Sequence, residues 1–245
     1  MRYFFEIAYD GTNYHGWQKQ VNAVSVQEIV SQKIAKYLNL QDISVLGCGR
    51  TDAGVHASQF YFHADIYERL DVSKAIFNLN NMLPTDISIS SILKMKENVH
   101  ARFDASSRKY CYYIHQKKNP FRDKFSLYYK KELDIDAMNA ACSFFAGTQD
   151  FTSFSKLHTG AKTNICTISE INWIKSNDDL IFSISANRFL RNMVRSIVGT
   201  MFDVGLGKIP SSEIPKIIES KNRNSAGCSV PAHGLFLEKV IYPYL

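Results

Sequence analysis

The stretch SVQEIVSQKIAKYL, residues 25–38, sets the frame of the fold. Ser25 and Glu28 have the Ser-x-x-Glu spacing of a capping box, which satisfies backbone N–H groups that the first helical turn leaves open. Behind it Val26, Ile29, Val30, Ile34, Tyr37 and Leu38 return at helical spacing, which predicts a helix over 26–38 with one apolar face. That helix stands between runs that read as strands. RYFFEIAY at 2–9 precedes it, and 43–47 and 57–65 follow it around a glycine-broken loop. Asp71 can cap a second helix through Val72, Ala75, Ile76 and Leu79. The segment 86–93, where Ile87 and Ile89 alternate with serines, closes this half as a strand.

The remaining chain repeats that order in pattern, though not in letters. Strands are predicted at 107–117, 165–175, 179–186 and 234–242, with a helix at about 134–146 and a longer one at 188–204. The longer helix carries Phe189, Met193, Val194, Ile197, Val198 and Met201 on its apolar side, and Gly205 and Gly207 stop it. Residues 210–220 add a short helix, while 95–106 and 147–164 read as irregular excursions. Each half is therefore β-α-β-β-α-β, the split pattern of ferredoxin-like and RNA-recognition folds. The expected class is α+β, with halves at 1–100 and 101–245 and no low-complexity linker between them. They are expected to join into one largely antiparallel sheet with helices packed on one face and an active-site cleft at the centre.

Composition narrows the function classes. Hydrophobic residues make 45% and aromatics 13%, which excludes a disordered chain. No run of about 18 apolar residues exists, and Glu6 and Asp10 interrupt the N-terminal segment before a secretory core can form. A soluble cytoplasmic protein is expected. Five scattered cysteines without a Cys-x-x-Cys pair argue against a disulfide scaffold, and seven histidines without His-x-x-x-His spacing give a metal site no support. With 29 basic against 23 acidic side chains the net charge is +6, a modest excess that favours a polyanionic partner.

The segment Gly47-Cys48-Gly49-Arg50-Thr51-Asp52-Ala53-Gly54-Val55-His56 concentrates the chemistry. It is not a dinucleotide fingerprint, because Asp52 stands where the third glycine belongs. It is not a phosphate loop either, since Val55 and His56 replace the Lys-Ser/Thr pair. What remains is an aspartate in a tight loop two residues from Arg50, whose cation would keep a nucleophilic carboxylate ionised. The alternative is an aspartate that hydrogen-bonds its own turn. Elsewhere Tyr110 and Tyr112 share a face of a predicted strand, where aromatics are common for structural reasons. Arg188, Arg191 and Arg195 fall at i, i+3 and i+7, one basic stripe on a predicted helix, an arrangement that usually marks a solvated face. His15 and Trp17 lie in a glycine-flanked loop suited to touching RNA, while His56 and His63 read as structural.

GRTDAGVHASQF (49–60) strongly resembles the catalytic signature of the tRNA pseudouridine synthase A family. YDGTNYHGWQKQ with SVQEIV, Asn80 to Ile87, HARFDASSRKYCYYI (100–114), GTQDFTSF (147–154), FLRNMVRSIVGTMFDVG (189–205) and PAHGLFL (231–237) follow in family order. The resemblance implies isomerisation of uridine to pseudouridine at positions 38, 39 and 40 of the tRNA anticodon stem-loop. It implies a homodimer that needs no cofactor and no metal. It places the nucleophile on Asp52 and the base-stacking tyrosine, which handles the C5 proton, on Tyr110. Arg195 becomes the partner of the aspartate, Arg50 the residue that helps extrude the base, and Leu235 an apolar cap on the pocket. Arg188 and Arg191 become candidate phosphate contacts. One block departs from the pattern, with Cys166-Thr167-Ile168 where relatives often carry Arg-Thr-Ile. The chemistry suits a carboxylate, as in retaining glycosidases, and attack at ribose C1′, attack at uracil C6 and a glycal route all stay open. Three rivals remain. The first is a synthase with another RNA target, and the second a non-catalytic tRNA-binding chaperone, which has no need of a phosphate-repelling loop aspartate. The third, a nucleotide-cofactor enzyme, is weakened by the missing phosphate loops.

Overall fold

The computed structural model describes residues 1–156 and 163–245. The chain divides into two compact units, Met1–Ser106 with Leu237–Leu245, and Ser107–Phe236. Both are α+β with mostly antiparallel strands.

The first unit contains β1 (Arg2–Tyr9), α1 (Val26–Tyr37), β2 (Val45–Gly47), β3 (His56–Asp65), α2 (Val72–Met82) and β4 (Ile87–Met95). The predicted β-α-β-β-α-β order is present. β1 lies between β3 and β4, antiparallel to both, and β2 pairs with β3. Phe5 stands opposite Phe62, and the two rings stack at 4.8 Å and 5°. Ser25 caps α1, its Oγ accepting from the Glu28 N–H at 3.3 Å, and Asp71 caps α2 by accepting from the Lys74 N–H at 3.1 Å. Val26, Val30 and Ile34 bury the apolar face of α1, as their spacing predicts. The Asn80 carboxamide locks α2 to β4 by donating to the Ile89 carbonyl and accepting from the Ile89 N–H, both at 2.8 Å.

The β3 edge of this sheet is closed by the returning C-terminal segment. Residues 237–241 of β10 (Leu235–Ile241) run beside β3, and the Val240 N–H donates to Gln59 Oε1 at 3.0 Å. Tyr242 packs edge-on against Phe4 and Tyr61, and its hydroxyl donates to the Ala101 carbonyl at 2.6 Å.

The second unit contains β5 (Ser107–His115), β6 (Leu127–Tyr128), α3 (Ile135–Cys142), β7 (Gly147–Asp150), β8 (Ile165–Ser176), β9 (Asp179–Ala186), α4 (Met193–Gly205) and α5 (Ile214–Glu219). β9 lies between β5 and β8, and β7 pairs with β8, all antiparallel; β6 adds a short parallel pairing to β5. Asn139 on α3 repeats the device of Asn80. It donates to the Trp173 carbonyl at 3.1 Å and accepts from the Trp173 N–H at 2.8 Å, which ties α3 to β8.

Two expectations need correction here. The longer helix begins at Met193, not at 188, because Asn192 is left-handed at φ 67° and cannot continue a right-handed turn. Its side chain donates to Ser229 Oγ at 2.6 Å, which holds that conformation. The segment 147–164 is not irregular at its start, since Gly147–Asp150 forms β7; its residues 157–162 lie outside those described.

Candidate active site

The Asp52 loop owes its shape to a second loop packed beneath it. Gly16, at φ +83°, brings its Cα so close to the Thr51 carbonyl that a Cβ would stand 2.2 Å from that oxygen. Only glycine permits both the left-handed turn and that approach. The Gly54 N–H donates to the Tyr14 carbonyl at 3.2 Å, and Tyr9 Oη bonds Thr51 Oγ1 at 2.9 Å. The Val55 N–H closes a turn on the Asp52 carbonyl at 3.2 Å. His56 is buried, and its Nδ1 accepts from the Gly11 N–H at 3.0 Å and lies 3.1 Å from Asp10 Oδ1. The backbone on both sides of Asp52 is thus fixed, and its side chain is half-buried. His56 ties loops together, as the structural reading expects. Trp17, by contrast, is only 1% exposed and packs 4.2 Å from the Phe60 ring, so it is a core residue. Arg50 is exposed, its Nε donating to Gln18 Oε1 at 3.1 Å.

In the second unit, Tyr110 and Tyr112 project from one face of β5. The half-buried Tyr110 ring meets Phe189 edge-on at 5.1 Å. Tyr112 is fully buried, and its hydroxyl donates to the Pro231 carbonyl at 2.8 Å. Burial pushes its ionisation well above the ordinary phenol range, and the Arg195 charge opposes that rise.

Arg195 is the one member of the arginine triplet on α4. Its Nε donates to the Val230 carbonyl at 2.7 Å, and the Val230 N–H returns a bond to the Arg195 carbonyl at 3.2 Å. The partner segment approaches the helix closely, since a Cβ on Gly199 would lie 1.7 Å from the Cys228 carbonyl oxygen. The same segment leads to the buried Leu235 at the start of β10. Tyr112, Arg195 and the 230–235 segment therefore come together.

The common stripe of Arg188, Arg191 and Arg195 does not exist, because the first two precede the helix. Arg188 Nη1 donates to the Thr163 carbonyl at 3.1 Å, and Arg191 is exposed. Cys166 is fully buried on β8, where burial raises its thiol to about 11. The departure from the family pattern at that position therefore faces the core. Sequence reasoning missed Val230 and Asn192, which orient Arg195 and delimit its helix, and neither residue type signals such a role.

Among the described residues no group of three or more His, Cys, Asp or Glu side chains is placed to hold a metal ion. No helix of the described residues is long and apolar enough to cross a membrane.

A family model described as tRNA pseudouridine synthase matches residues 7–104 and 141–243. The chain is 49% identical to a tRNA pseudouridine synthase A of Bacteroides fragilis over 244 residues, covering 99% of this chain and 96% of that protein. It is 48% identical to the protein of that name from Porphyromonas gingivalis, covering 99% of this chain and 97% of the relative. Among solved structures, an archaeal box H/ACA sRNP Nop10-Cbf5 complex is a distant likeness, at 13% identity and a TM-score of 0.39 over 82% of this chain and 43% of that one. With both halves matched and near-complete overlap at almost half identity, the chain belongs to the tRNA pseudouridine synthase family.

Proposed function

We propose that this protein isomerises uridine to pseudouridine in tRNA, at positions 38, 39 and 40 of the anticodon stem-loop. It acts as a cytoplasmic homodimer without cofactor or metal. The observation that carries this reading is an aspartate in a GRTDAG loop whose backbone is clamped on both sides, within a chain of this family. Such clamping holds a carboxylate in one attack geometry.

On this reading the two units join along one sheet, as ferredoxin-like halves with helices on one face and the site in the cleft between them. The N1–C1′ bond breaks with help from Asp52, uracil turns within the closed pocket, and a C5–C1′ bond forms. The C5 proton leaves and N1 gains one, so atoms balance without a co-reactant. Tyr110 stacks on the target base and handles the C5 proton. Arg195 holds the Asp52 carboxylate, and its bond to Val230 orients the guanidinium for that task. Leu235 caps the pocket, and Arg50 takes the space the extruded base leaves. Arg188 and Arg191 serve as phosphate contacts from the segment that precedes the helix, not as one helical stripe.

The test is to incubate unmodified tRNA with the pure protein and map pseudouridine. Modification at 38–40 is expected. Modification only elsewhere would move the target, and none at all would leave a binding protein in place of an enzyme.

A further inference from the structure

The first unit carries a cavity of about 270 Å³ between Arg50 and the 100–103 turn, roofed on one side by the Phe103 ring. Phe103 is 74% exposed, yet it is held in place. The His100 ring lies 4.3 Å from it, and the Arg102 guanidinium carbon is 5.7 Å from its centroid. The turn beneath is locked, because His100 Nδ1 accepts from the Arg102 and Phe103 N–H groups at 3.0 and 3.4 Å.

Gln18 and Gln27 line the cavity together with Trp17 and Leu46, and both amides are held in place. The Gln27 carboxamide accepts from the Lys19 N–H at 2.8 Å and from Gln18 Nε2 at 3.1 Å, and donates to the Val45 carbonyl at 2.9 Å. Gln18 in turn accepts from Arg50.

We propose that this cavity is a second base site, which receives an unstacked nucleobase of the RNA adjacent to the target uridine. The inference rests on the synthase reading above. A flat exposed aromatic, side-chain amides in the wall and two flanking arginines are the elements that single-stranded RNA sites combine. The volume is below that of a drug-sized pocket and suits one ring system. Because Arg50 contributes to the wall through Gln18, filling the second site positions the arginine that replaces the extruded base. Target extrusion and capture of its neighbour then become one event.

The experiment compares the full-length protein with Phe103→Leu and Phe103→Tyr on anticodon stem-loop RNAs that each carry one abasic nucleotide near the target. Phe103→Leu keeps bulk and loses the flat π face. It should weaken RNA binding about tenfold and lower kcat/KM for pseudouridine formation by at least that factor, and Phe103→Tyr should restore both. At one flanking position the abasic nucleotide should cost the wild type a similar factor and cost Phe103→Leu nothing further, the signature of a coupled pair.

Equal affinity of wild type and Phe103→Leu, independent losses at every position, or failure of tyrosine to restore binding would each overturn the second site. Those results with wild type still forming pseudouridine remove the second site alone. A wild type that modifies no tRNA removes the reading beneath it.

Discussion

Asp52 stands on a backbone to which the loop leaves little freedom. Turn bonds fix the residues before and after it, so Asp52→Asn changes charge with little change in shape. Turnover should fall by on the order of a thousandfold or more while tRNA affinity and thermal stability stay near wild type. A mutant that keeps a substantial fraction of wild-type turnover would remove the nucleophile assignment. His63 offers a separate test. It is buried against Phe4 and His100 and accepts from the Ala101 N–H at 3.2 Å, and burial lowers it to about 4 from 6.5. The unfolded chain therefore takes up the proton first as pH falls. The stability supplied by neutral His63 is complete above about 6.5 and is lost progressively down to about 4. His63→Asn keeps an acceptor for Ala101 but cannot titrate, so its urea midpoint should fall less between those pH values. An unchanged slope would contradict this account. At this scale the sequence was legible where residue type restricts conformation, as with the glycines around Asp52. It was not legible for depth. Trp17 and His15 occupy one loop, yet Trp17 is core and His15 exposed.

Elements with a capping signal were readable to within a residue or two. Ser25 and Asp71 mark their helices because a side-chain oxygen must meet an open N–H there. The start of α4 was not readable, because apolar spacing continues back to Phe189 while the backbone turns left-handed at Asn192. β6 and β7 escaped notice because two- and four-residue strands carry too little alternation to stand out. The asparagine clamps were also hidden. Asn80 and Asn139 each saturate both polar groups of one strand residue, a job that spacing cannot reveal. Truncation leaves a backbone N–H and a carbonyl without partners, so Asn80→Ala and Asn139→Ala should each cost about 2 kcal/mol in denaturant unfolding. Losses below about 0.5 kcal/mol for both would mean that water replaces the clamps freely.

Across the whole molecule, the proposed carboxylate and its proposed arginine belong to different units, 143 positions apart. No local pattern could join them, and only the family resemblance did so. If Arg195 holds the carboxylate, Arg195→Lys keeps the charge but loses the fork. Its kcat should drop about tenfold or more with tRNA affinity little altered, and Arg195→Met should lose more. Equal activity of the lysine variant and wild type would free Arg195 from that role. The return of residues 237–245 to the first unit has a further consequence, in the order of synthesis. A ribosome releases Ser106 on the order of ten seconds before it releases Leu237, at ordinary elongation rates. During that interval Phe4 and Tyr61 lack the Tyr242 ring that covers them. The first unit to be made is thus the last to be finished, and it waits with an open sheet edge for its final strand. Nascent chains stalled before Leu237 should be cleaved by protease within residues 1–106, and chains extended past Leu245 on a tether should resist. Equal protection of both would show that the first unit closes without its last strand.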